Sequence, residues 1–73
     1  MEKREVAAWR SRGGKYQVTL YADALGYTYQ GTDCGGNLGA FPDDDAAIEF
    51  MQAQVATGRF QADANKTPME RAE

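Results

Sequence analysis

Three consecutive carboxylates, Asp43, Asp44 and Asp45, are the densest chemical feature of this chain of 73 residues. Carboxylates can ligate a hard cation, cap a helix or present a negative surface. A cation site needs ligands that converge. Consecutive residues at a helix start diverge instead, and no calcium-loop spacing accompanies them. The chain has no histidine, so it lacks the commonest general base and the commonest metal ligand. Its one cysteine, Cys34, would need an activating neighbour to act as a nucleophile, and an acidic segment disfavours the thiolate. The sequence therefore reads as non-enzymatic, with no cofactor and no dedicated metal site.

The acids gain meaning from what is missing around them. From Tyr16 to Gly58 there is no lysine and no arginine, yet six acids occur: Asp23, Asp33, Asp43, Asp44, Asp45 and Glu49. That block carries −6, residues 1–15 carry +3, and residues 59–73 are neutral, giving the net −3 of the whole chain. A body built on such a block repels nucleic acid and attracts basic protein surfaces. Helix capping uses one or two acids and leaves the missing bases unexplained.

The elements that position these residues follow from periodicity. Residues 15–22 alternate, with Tyr16, Val18, Leu20 and Ala22 on one face and Tyr21 on the other, as a half-buried strand does. Asp23-Ala24-Leu25-Gly26 reads as a turn, and Tyr27 and Tyr29 share a face of the next strand. Gly13-Gly14 marks an earlier turn, joining a strand near Val6–Ser11 to the one at Lys15. A helix over Glu2–Arg10 is the competing reading. Gly31–Gly39 is glycine-dense and reads as a loop, or as a loop followed by a short strand at Asn37–Phe41.

Asp43–Thr57 reads as the helix. Asp43 is a favoured N-cap, and acids in the first turn suit the positive end of the helix dipole. Ala47, Ile48, Met51 and Val55 form an apolar stripe widened by Phe50, and Gly58 stops the helix. Asp45, Glu49 and Gln52 fall on the opposite side. The expected fold is α+β: a small antiparallel sheet of three to four strands packed on this helix, forming a single domain over residues 1–58. Residues 59–73 are expected to form a loosely ordered tail. Within it, Thr67-Pro68-Met69-Glu70 has capping-box spacing, with room for only a frayed helical turn.

Composition also bears on location. No run of about 18 apolar residues is present, as a membrane-spanning helix requires, and the N-terminus lacks the apolar stretch of a signal peptide. A lone cysteine fits a reducing compartment. A cytoplasmic, non-membrane protein is expected, as a monomer or weak homodimer.

In size, charge and architecture, residues 5–58 resemble the small phage-encoded anti-CRISPR proteins, several of which are acidic α+β domains. The resemblance implies a protein that occupies the DNA-binding surface of a bacterial surveillance complex, with carboxylates standing in for phosphates, in the cytoplasm of a bacterial host. The charges lead to the same mechanism. Asp45 and Glu49 lie about 6 Å apart along one helix face. Asp44 and the loop acid Asp33 would extend the row, and lysines and arginines that grip a phosphodiester would accept it. Tyr21 and Phe41 are candidate aromatic anchors. The expected partner is a basic nucleic-acid-binding protein or complex, with no direct nucleic-acid binding. Two alternatives remain open: a nucleic-acid-binding module using Arg10, Arg12 and Lys15 of the N-terminal hairpin, and a structural subunit pairing as a homodimer through a sheet edge.

Overall fold

In chain order the elements are β1 (Arg4–Ser11), β2 (Gln17–Asp23), β3 (Gly26–Gly31), β4 (Gly35–Gly39), α1 (Asp44–Ala56) and β5 (Met69–Ala72). They come from a computed structural model that describes residues 3–32, 35–56 and 69–72. The strands form one antiparallel sheet in the order β4-β3-β2-β1-β5. The protein is α+β, with five strands where the sequence leads one to expect three or four.

The extra strand is β5. The Thr67-Pro68-Met69-Glu70 spacing, which overlaps it, suggests a helical turn, but Met69–Ala72 is extended and pairs with β1, Ser11 opposite Met69 and Ala8 opposite Ala72. Met69 is buried. The free edge of β1 overrides the local helix signal, since backbone pairing and burial outweigh propensity in so short a segment. Thr67, Pro68 and the rest of residues 57–68 lie outside the described residues, as does the expected helix stop at Gly58.

Two hairpins build the middle of the sheet. Gly13 and Gly14 both take positive φ between β1 and β2. Ser11 ties this loop together: its Oγ accepts from the Tyr16 amide at 3.0 Å, and its carbonyl accepts from Gly14. The helical alternative for the N-terminal segment is thereby excluded. Between β2 and β3, the Asp23 carboxylate accepts from the Leu25 amide at 2.8 Å. Gly26 takes φ +137°, and a Cβ there would lie 2.7 Å from the Gly39 carbonyl oxygen, so only glycine lets β4 pass so close to that turn. β4 itself starts at Gly35, earlier than the expected Asn37.

Alternation sends Ala7, Trp9, Val18, Leu20, Ala22 and Tyr27 to one face of the sheet, where α1 supplies Ala47, Met51 and Val55. Trp9, Leu20, Met51, Val18 and Val55 are the largest fully buried side chains among the described residues. The helix packs over β1 and β5 rather than over the sheet centre. Two residues of the expected stripe therefore sit differently. Ile48 is only half-buried at the margin of the core, and Phe50 is 41 % exposed. Trp9 is the hub of the core. Its indole N–H donates to Gln52 Oε1 at 2.8 Å, and the Arg71 guanidinium lies 6.0 Å from its ring centroid. Among the described residues no helix is long and apolar enough to cross a membrane.

Candidate interaction surface

The helix N-terminus sorts the three aspartates into three roles. Asp43 is the N-cap: its Oδ1 accepts from the Ala46 amide at 2.8 Å, as the sequence leads one to expect. Asp44 lies three residues before Ala47 and so faces the sheet. Both of its oxygens are taken there. Arg4 donates two parallel bonds, at 2.8 and 2.9 Å, and the Tyr27 hydroxyl donates at 2.6 Å. Asp45 is exposed and turned outward, one helical turn from exposed Glu49.

This geometry separates Asp44 from the other acids of the expected row. Asp44 has both oxygens engaged within the chain, whereas Asp45 is exposed. It joins β1, β3 and α1 into one unit, through a bidentate geometry that is among the stronger charge-assisted contacts. Arg4 is 40 residues away in sequence, so no local pattern could reveal the pairing. Asp33 and Cys34 lie outside the described residues. The outward row on the described helix is Asp45 and Glu49.

The electrostatics agree with the contacts. The Asp44 carboxyl is held down at about 2, mainly by the Arg4 hydrogen bonds and then by the Tyr27 hydroxyl. The Tyr27 hydroxyl is pushed up, first because its proton is held by Asp44 and then by desolvation. Arg4 is pushed up by the same carboxylate. Because the folded value of Asp44 is depressed, its stabilising contribution is complete above the unfolded carboxyl range, near 3.8. It is lost as pH falls from there through about 2. Asp44→Asn is expected to melt at a lower temperature than wild type at pH 7, and the gap should shrink between pH 4 and pH 2. Thermal melts of both proteins across that range check this. A constant gap would mean that the carboxylate charge is not what Arg4 and Tyr27 hold.

The two candidate anchors are placed differently. Phe41 is half-buried and lies between Tyr27 and Phe50, with centroids 5.7 Å away at 79° and 5.6 Å away at 48°. This aromatic chain runs from the core to the surface and ends at Phe50, a residue whose role the helical stripe conceals. Tyr21 lies on the sheet face opposite α1, where the Lys3 ammonium stands 5.6 Å from its ring centroid. It is therefore remote from the acidic helix face, and the two anchors do not belong to one surface.

That opposite sheet face carries a groove of ≈ 320 Å³, lined by Glu5, Ala8, Arg10, Gln17, Thr19 and Tyr21 among others. No described element covers it. Its charges are mixed, and the groove holds no paired carboxylates or nucleophile with a base, as hydrolysis would need. Among the described residues no group of three acids or cysteines is placed to hold a metal ion. No family model matches the sequence, and comparison with curated proteins and with solved structures gives no match.

Proposed function

We propose that the protein is a non-enzymatic inhibitor that binds a basic nucleic-acid-binding surface through carboxylates set in place of phosphates. Its setting would be the cytoplasm of a bacterial host, as an anti-CRISPR protein that blocks DNA binding by a surveillance complex. The observation that carries this reading is the outer face of α1. Asp45 and Glu49 stand exposed on a helix tied to the sheet through Asp44 and Arg4, and no lysine or arginine occurs from Tyr16 to Gly58 to neutralise them. A fixed pair of charges loses little freedom on binding, so more of the attraction appears as affinity.

The test is a gel shift with a purified surveillance complex and its target duplex. Pre-incubation with the protein should abolish the shifted band, and the protein alone should shift neither duplex nor single-stranded DNA at low salt. Retention of DNA by the complex at saturating protein would overturn the proposal. A second reading draws on the uncovered sheet face, where Tyr21, Arg10 and Gln17 line one groove: a module for single-stranded nucleic acid, stacking bases on Tyr21. A shift by the protein alone would select it.

A further inference from the structure

The outer face of α1 is not uniformly acidic. Helical spacing sets two adjacent ridges along it: Asp45, Glu49 and Ala53 form one, and Ala46, Phe50 and Gln54 the other. Asp45, Glu49, Phe50 and Ala53 are exposed. Ala46, half-buried, and Ala53 have side chains of one carbon, the size that close approach of a second helix requires. One wall carries two carboxylates. The other carries the Phe50 ring, 41 % exposed and braced from behind by Phe41 and, through it, by Tyr27. An exposed aromatic held rigid by packing is the kind of residue that dominates an interface.

We infer that this groove receives a basic amphipathic helix of the partner. The charge complementarity selects that occupant. Asp45 and Glu49 call for lysine or arginine on one side of the incoming helix, and Phe50 with Ala46 calls for an apolar stripe on the other. A second copy of this chain fits poorly, because its own helix would bring Asp45 and Glu49 against like charge. A bare polyphosphate-gripping loop would satisfy the carboxylates and leave Phe50 in water. The inference rests on the proposed function only for the sign of the partner's charge; the helical form of the contact stands on the alanines and Phe50.

The experiment uses three synthetic peptides of about 18 residues, long enough to hold a helix. The first alternates leucine and lysine at helical spacing. The second keeps the lysines and replaces each leucine by serine. The third keeps the leucines and replaces each lysine by glutamate. Each is titrated into isotope-labelled protein and followed by amide chemical shifts. The leucine–lysine peptide should shift Ala46, Phe50 and Ala53. It should bind roughly tenfold or more tightly than the serine–lysine peptide, as loss of a central apolar anchor implies, and the glutamate peptide should not bind. Phe50→Ala, and separately Ala53→Arg, should each cost a similar factor. Ala53 is exposed, so its variant should melt close to wild type, whereas Phe50→Ala gives up the Phe41 contact and should melt lower while staying folded. Equal binding of the leucine and serine peptides, or binding untouched by both substitutions, would overturn the helical groove. Loss of binding on reversing Asp45 and Glu49 in that same case would leave the carboxylate reading standing, so the two failures are separable.

Discussion

Replacing Trp9 with alanine is expected to remove most of the stability of this protein. Trp9 is fully buried, touches β5 through Arg71 and holds Gln52 of α1. Truncating a buried tryptophan costs about 3–5 kcal/mol, part transfer energy and part cavity. A chain of 73 residues has roughly 4–11 kcal/mol in all at usual stabilities per residue. The small core cannot spread such a loss. Trp9→Phe should cost much less, because the ring still fills most of the space. The abandoned partner, Gln52, is exposed and can turn to water instead. Urea denaturation followed by circular dichroism separates the cases. An alanine variant that unfolds at the wild-type midpoint would show that α1 is not held through Trp9.

Reversing Asp45 and Glu49 to lysine is expected to have the largest effect on binding and little on folding. Neither side chain contacts the core, where Ala47, Met51 and Val55 face the sheet. Asp45 lies in the first turn, so its reversal forfeits about 0.3–1 kcal/mol of favourable helix-dipole interaction. Under the proposed function, a partner surface built to hold phosphates would meet two cations instead, and like charges juxtaposed across an interface cost several kcal/mol. In wild type the attraction should weaken as salt rises, since charges are screened over about 8 Å at physiological ionic strength. Thermal melts and a binding titration against the surveillance complex decide the matter. A variant that melts near wild type and binds with unchanged affinity would remove this helix face from the interface.

How far such roles can be read in advance depends on where their partners lie in sequence. β2 is legible because its periodicity is local: Val18, Leu20 and Ala22 alternate with polar residues and are buried as that alternation requires. The Asp43 cap is legible because its acceptor and donor are three residues apart. Asp44 is not, since its meaning comes from Arg4 and Tyr27, 40 and 17 residues away. Phe50 fits the helical stripe by spacing and misses the core because α1 sits over β1 and β5, a placement that no helix records in its own sequence. β5 was hidden for a related reason. Met69–Ala72 has no strand pattern of its own and is extended because the edge of β1 accepts it.

That last strand also orders the events by which the molecule is made. Neighbouring strands from β1 to β4 are joined through short connections, so their pairing costs little loop entropy and can come early. The pairing of Ala8 with Ala72 closes a loop of about sixty residues and is expected to come later. Until then the contact of Arg71 with the Trp9 ring is unmade. The protein thus carries a timer at its centre. Trp9 is its only tryptophan, and its fluorescence in stopped-flow refolding should reach the native value after the far-ultraviolet dichroism does. Simultaneous recovery would mean that β5 docks along with the hairpins.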